Sequence, residues 1–110
     1  MIQTVTPQAL ADLVANHQVD LIDVRNPDEW DTGHIAGSRL VPLPLLQADP
    51  DAVLSKALPI VFICAKGIRS LAAAKLAERF GYTNLYSLDG GTKEWSREGL
   101  MLVAEQRVAA

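Results

Sequence analysis

At 110 residues the chain has the length of one ordinary domain with one hydrophobic core, and we predict a single domain over residues 1–110. Hydrophobic residues make up 49% and charged residues 21%, which is typical of folded globular domains and excludes a disordered chain. The formal net charge is −3 and the Lys and Arg residues are scattered, so we expect no nucleic-acid partner.

The apolar stretches are too short to cross a membrane. The longest, residues 40–46 and 60–65, fall far short of the ~20 residues that span a bilayer. Residues 1–10 contain no basic residue and no apolar block of the kind that forms a secretory signal. We therefore expect no membrane partner and a cytoplasmic location.

The amino-terminal third predicts a helix, a strand and a second helix. Thr6 is a favoured N-cap and Pro7 a favoured first helical residue, so we predict a helix over residues 7–16. Residues 21–24 form a short apolar run, interrupted by one aspartate, that is typical of a strand covered on both faces. The Asn26-Pro27 pair then predicts a short acidic helix through residue 30.

The next segment predicts a turn and then extended chain. Glycines at 33 and 37 indicate a tight turn, and residues 39–43 are predicted to be extended until the prolines at 42 and 44 stop them. A weaker helix is predicted between residues 50 and 57.

The strongest strand pattern is residues 60–63, a continuous β-prone run that we predict to be a central strand. Helical spacing of apolar residues then predicts a helix from Ser70, with Gly81 as its C-terminal cap. Residues 84–88 predict another strand, and a short helix is predicted around Trp95. Strands that alternate with helices indicate an α/β fold with a mainly parallel sheet between helices.

The single cysteine, Cys64, directly follows the predicted central strand, at the edge of a parallel sheet where ligands bind. The helix after it directs its free N–H groups at the sulfur, and Lys66 and Arg69 add positive charge in the same loop. Gly67 permits a backbone that turns N–H groups inward. A free cysteine is ordinarily a small packed residue, but these surroundings favour a reactive thiolate.

Other polar residues are interpreted as structural. Asp23 is expected to accept backbone N–H bonds at a strand end, and Arg25 to anchor nearby loops. Asp28, Glu29 and Asp31 are interpreted as a solvated face that complements the helix dipole.

No metal site is predicted. His17 and His34 lack the spacing of zinc ligands, and His34 is assigned to the turn rather than to a general base.

Five segments together resemble the rhodanese family from end to end. They are Leu21-Ile22-Asp23-Val24-Arg25, Glu29-Trp30, Gly33-His34-Ile35-Ala36-Gly37-Ser38, Cys64-Ala65-Lys66-Gly67-Ile68-Arg69-Ser70, and Gly90-Gly91 with Trp95. The sequence departs from the family pattern at Ser38, where alanine is commoner. The resemblance implies a rhodanese-like fold, a mainly parallel five-stranded sheet flanked by helices on both faces, and a cysteine that forms a persulfide.

The resemblance also implies a thiosulfate sulfurtransferase without a cofactor. The Cys64 thiolate would take the outer sulfur of a small anionic donor such as thiosulfate and pass it to a thiol, a protein sulfur acceptor or cyanide. Arg69 and Lys66 would bind the leaving sulfite. The persulfide and the donor would be held by loop N–H groups of residues Ala65, Lys66, Gly67, Ile68, Arg69 and Ser70.

Two other functions stay open. Cys-dependent phosphatases and arsenate reductases also place a thiolate in an N–H-lined loop, but five residues separate their cysteine from an arginine, and here four do, with Ser70 at that position. The second alternative is a sulfur-carrier or docking module that keeps the fold without turnover.

Overall fold

The computed structural model describes residues 2–16 and 18–104, so Met1, His17 and residues 105–110 lie outside the described residues. The strands are β1 (Ile2–Val5), β2 (Asp20–Asp23), β3 (Arg39–Leu40), β4 (Ile60–Ile63) and β5 (Leu85–Leu88). The helices are α1 (Pro7–Ala15), α2 (Pro27–Thr32), α3 (Leu43–Ala48), α4 (Pro50–Val53), α5 (Ile68–Arg79) and α6 (Gly91–Arg97).

The five strands form one sheet in the order β1-β5-β4-β2-β3, and every pairing is parallel. This confirms the predicted parallel sheet and puts β4 at its centre. Because β4 has neighbours on both sides and helices on both faces, all four of its residues are buried.

Side chains of β4 alternate between two cores. Ile60 and Phe62 pack in the core that holds the alanine face of α5, while Val61 and Ile63 pack with Leu10 of α1 and Trp95 of α6. Cys64, the next residue after β4, continues this alternation and follows Ile60 and Phe62. Cys64 therefore lies on the α5 side of the sheet.

Two elements differ from the sequence predictions. β1 was not predicted, because its middle residues Gln3 and Thr4 are polar and exposed; the strand lies at the sheet edge beside β5. Only residues 39–40 of the predicted extended segment form a strand. Pro42 is the N-cap of α3 and Pro44 lies in its first turn, where a missing N–H costs no helical hydrogen bond.

Several boundaries also differ. α4 ends at Val53 instead of continuing to residue 57, and β5 begins after Asn84, whose φ of 56° is left-handed. α5 begins at Ile68, two residues before the predicted Ser70. By contrast, the predicted cap of α1 is confirmed, since Thr6 Oγ1 accepts the N–H of Ala9 at 3.2 Å.

Within residues 2–16 and 18–104, no helix is long and apolar enough to cross a membrane.

Candidate active site

Cys64 is the first residue after the central strand β4, at the carboxyl edge of the sheet, and its side chain is almost completely buried. The chain turns there through Gly67, the N-cap of α5, which has a left-handed φ of 100°. That turn directs the N–H of Gly67 at the sulfur, with 3.0 Å between the nitrogen and Sγ. The predicted placement of the thiol at the start of a helix is therefore confirmed.

The helix α6 holds the backbone of the cysteine loop from the other side. The N–H groups of Thr92 and Lys93 donate to the carbonyl oxygens of Cys64 and Ala65, at 2.9 and 3.1 Å. A Cβ at Gly91 would lie 2.4 Å from those same two oxygens, so only glycine allows this approach. Two loop carbonyls are thus bound by α6.

Two buried hydroxyl groups continue from the sulfur into the protein. Ser70 Oγ lies 3.4 Å from Cys64 Sγ, and Ser87 Oγ of β5 lies 2.7 Å from Ser70 Oγ. A thiolate can only accept hydrogen bonds, so in that form the Ser70 hydroxyl donates to Cys64 Sγ while the Ser87 hydroxyl donates to Ser70 Oγ. The pair can therefore solvate a sulfur anion at its buried side.

These contacts lower the pKa of the thiol. Burial raises the pKa of Cys64, but hydrogen bonds from the Ser70 hydroxyl and from the N–H groups of Ser70, Lys66 and Gly67 outweigh it and bring the pKa below its ordinary value. The direction agrees with the sequence prediction. The predicted contribution of backbone N–H groups is among the causes, and the Ser70 hydroxyl, which the sequence did not predict as a donor, adds to it.

An open cleft of about 430 Å³ lies above the sulfur. Ile68 is 77% exposed at its rim, and Lys66 is also exposed. The lining residues are Glu29, Cys64, Ala65, Lys66, Ile68 and Arg69.

All the residues proposed from the sequence for the site lie on this loop or at the start of α5, but two of them do not line the cleft. Ala65, Lys66, Ile68 and Arg69 line the cleft with the cysteine. Gly67 provides a backbone donor and Ser70 lies beneath the sulfur, buried.

Arg69 meets a carboxylate from a distant part of the chain. Its two terminal nitrogens donate to Oε1 and Oε2 of Glu29 at 2.7 and 2.8 Å. Glu29 Oε1 also accepts the N–H of Asn26 at 3.1 Å, which completes the capping box of α2. Hydrogen bonds from Arg69, assisted by the Asn26 N–H and opposed by partial burial, lower the pKa of Glu29 to about 2.

Sequence reasoning missed Glu29 and Ser87. The interpretation of Glu29 as part of a solvated face was wrong, because its carboxylate lines the cleft; its neighbour Asp28 is exposed as expected. The available signal was position: α2 follows β2, whose carboxyl end lies at the same sheet edge as Cys64. For Ser87 the signal was a small polar residue inside an otherwise apolar strand.

The other polar residues are structural, as predicted. Asp23 accepts three bonds from the Arg25 guanidinium at 2.8–3.1 Å and one from its backbone N–H, and Arg25 also donates to the carbonyl of Gly33 at 2.8 Å. The His34 ring is buried, stacks on Trp30 and bonds through Nδ1 to the Trp30 carbonyl. These three side chains fix the turn, and none lines the cleft.

Comparisons with known proteins agree with this geometry. The protein-family model of the rhodanese-like domain matches residues 6–98 of this chain. The chain is 33% identical over 93 residues to the thiosulfate sulfurtransferase GlpE of Pseudomonas aeruginosa, covering 84% of this chain and 83% of that protein. It is 35% identical over 97 residues to the probable adenylyltransferase/sulfurtransferase MoeZ of Mycobacterium tuberculosis, covering 86% of this chain but only a quarter (25%) of that protein.

A solved structure shows the same fold. The crystal structure of a rhodanese-related protein from Thermoplasma volcanium superposes with a TM-score of 0.85 at 29% identity, over 94% of this chain and 99% of that one. The sheet order, the cysteine loop and the matched residues lead to one conclusion: the chain belongs to the family of rhodanese-like domains.

Proposed function

We propose that this chain is a sulfurtransferase that carries sulfane sulfur as a persulfide on Cys64. The observation that supports the proposal most is the environment of Sγ. The sulfur is buried, yet its pKa is lowered, and it lies at the base of a cleft that is open to a small molecule. A thiol whose pKa is lowered, at the carboxyl edge of a parallel sheet, is suited to act as a nucleophile.

The proposed reaction has two displacement steps. The Cys64 thiolate attacks the outer sulfur of thiosulfate, a new S–S bond forms, and the bond to the sulfonate sulfur breaks with its electron pair leaving on sulfite. In the second step a thiolate or cyanide attacks the terminal sulfur of the persulfide. The Cys64 thiolate then leaves, ready for another cycle.

Loop groups have distinct roles in this proposal. The N–H of Gly67 and the Ser70 hydroxyl stabilise the thiolate that attacks in the first step and leaves in the second. Backbone N–H groups of residues 65–70 would hold the terminal persulfide sulfur. Lys66, exposed at the cleft, would stabilise the sulfite that departs, while Arg69 lines the same cleft with its terminal nitrogens bound to Glu29.

The relatives support this class of reaction. The Pseudomonas protein is named a thiosulfate sulfurtransferase, and the Mycobacterium protein a probable adenylyltransferase/sulfurtransferase. We accordingly propose a small anionic donor and a thiol, either of a small molecule or of a protein, as acceptor.

A phosphatase or arsenate reductase is the less favoured function. A phosphate-binding loop needs an arginine whose fork is available to the anion, and here both terminal nitrogens of Arg69 donate to Glu29. A carrier module without turnover shares the first step of the proposed reaction. The two differ in whether the persulfide is discharged repeatedly.

The experiment is intact-mass measurement of the protein after exposure to thiosulfate, followed by cyanide. We expect a gain of one sulfur atom that cyanide removes, and no gain in Cys64→Ser. Equal labelling of both proteins, or of neither, would contradict the persulfide. Repeated formation of thiocyanate from thiosulfate and cyanide separates an enzyme from a carrier.

A further inference from the structure

The cleft contains a carboxylate where an anion-binding site would be expected to hold only cations. Glu29 and Arg69 both line it, joined by two hydrogen bonds of 2.7 and 2.8 Å. Their side chains are 30% and 35% exposed, so the pair faces the space that a donor would enter. The planar fork of Arg69, which could otherwise bind two sulfonate oxygens, is occupied.

Glu29 is held in place by a second, independent contact. Its Oε1 accepts the N–H of Asn26 within the capping box of α2, so the carboxylate is anchored to a helix as well as to Arg69. A surface ion pair that is joined only by two flexible side chains opens readily. This one keeps its negative charge in the cleft even when the guanidinium moves.

The charges around the sulfur are therefore balanced. Lys66 and Arg69 are the cations among the lining residues, and Glu29 and the Cys64 thiolate oppose them. A donor with two negative charges therefore meets no net attraction there, and the repulsion that Glu29 contributes is twice as large for it as for a donor with one negative charge. The rim also has an apolar side, because Ile68 is exposed on the loop and Ala65 lines the cleft.

From this we infer that Glu29 is a specificity-determining residue, which neutralises Arg69 and favours singly charged sulfane donors with an apolar group over the thiosulfate dianion. The inference rests on the proposed persulfide chemistry and deepens it. Methanethiosulfonate is a suitable probe: it carries one negative charge, and a methyl group replaces one sulfonate oxygen of thiosulfate. Attack by the Cys64 thiolate on its outer sulfur forms the persulfide and releases methanesulfinate with the bonding electron pair.

The test compares rates of sulfur loading. Single-turnover rate constants for persulfide formation are measured with thiosulfate and with methanethiosulfonate, and the ratio between donors is taken for each protein. Glu29→Gln keeps an acceptor for the Asn26 N–H but removes the charge. We expect this substitution to raise the ratio of the thiosulfate rate constant to the methanethiosulfonate rate constant about threefold to tenfold. The reason is that loss of the Glu29 charge relieves repulsion on two units of charge in thiosulfate and on one unit in methanethiosulfonate.

The chain offers a matched control. Asp20 and Arg39 also form a two-bonded pair, at 3.0 and 2.9 Å, but Asp20 begins β2 and so lies at the amino edge of the sheet. Asp20→Asn removes the same charge far from the cleft, and we expect the donor ratio to stay at the wild-type value. The shift in the donor ratio that Glu29→Gln causes should also become smaller as the salt concentration rises. Salt screens an electrostatic effect and leaves a purely structural effect unaltered.

The outcomes separate this inference from the proposed function. Persulfide formation with a donor ratio that Glu29→Gln leaves unchanged, or that Asp20→Asn shifts equally, would overturn the inference alone. Absence of persulfide with either donor would overturn the proposed function and the inference together. If Glu29→Gln lost the native circular dichroism spectrum, Glu29→Ala would give the same test, with a shift in the same direction expected.

Discussion

Two arginine–carboxylate pairs in this protein have the same chemistry and different surroundings. Asp23 and Arg25 are 0% and 5% exposed in their side chains, while Glu29 and Arg69 are 30% and 35% exposed. In the first pair the guanidinium also bonds to the carbonyl of Gly33, which joins β2 to the turn after α2. The first pair is part of the frame of the protein, and the second is part of its cleft.

The difference shows how burial divides structural from functional ion pairs. Charges removed from water are stable only when all their hydrogen bonds are made, so loss of one partner from a buried pair is severe. Loss of one partner from a pair that water can reach changes the stability of the fold only slightly. A solvent-accessible ion pair can therefore set the charge of a site with little effect on the stability of the fold.

The largest expected effect is on stability when the buried pair is broken. Asp23→Asn leaves the Arg25 guanidinium buried with an uncompensated charge, and we expect the free energy of unfolding to fall by about 3 kcal/mol. Urea unfolding measures this change. A loss below about 1 kcal/mol would place Asp23 with the exposed pairs and contradict the structural role assigned to it.

A smaller effect on stability is expected for the cleft pair. Glu29→Gln should lower the free energy of unfolding at neutral pH by no more than about 1 kcal/mol, because solvent screens the pair and the capping acceptor is retained. The same urea experiment, run beside Asp23→Asn, gives the comparison directly. Equal losses in the two variants would mean that exposure does not distinguish the pairs.

The smallest expected effect is the pH dependence of the stability that the Glu29–Arg69 pair contributes. The pKa of Glu29 is lowered to about 2, so its pairing stabilises the protein above the ordinary glutamate pKa of ~4.3 and is lost as pH falls toward 2. The difference in unfolding free energy between wild type and Glu29→Gln should be constant from pH 7 to about 5 and then decline. A difference that changed between pH 7 and 5 would exclude Glu29 as its source.

Much of the frame could be predicted from the sequence because it depends on neighbours along the chain. The continuous apolar and β-prone run at residues 60–63 is typical of a strand covered on both faces, which sets Cys64 at its carboxyl end. Asp23 and Arg25 are two residues apart, so a strand end brings them together without reference to the rest of the fold. The predicted roles of both residues are confirmed.

Errors arose where tertiary pairing overrode a weak local signal. β1 has two exposed polar residues and is a strand because β5 supplies its hydrogen bonds. The prolines at 42 and 44 end the extended segment as predicted, but they also open α3, a helix that was not predicted and that packs Leu46 into the core beside α5.

By itself, the sequence determined the α/β pattern, the position of the cysteine after the central strand and the glycine that turns the loop. Only the tertiary structure decided what surrounds the sulfur. Glu29 and Arg69 are 40 positions apart, and Ser70 and Ser87 are 17 apart. Gly91 follows β5 and approaches the carbonyl groups of the cysteine loop, which follows the neighbouring strand β4. Such contacts depend on which strands are neighbours at the sheet edge, and local spacing carries no information about strand order.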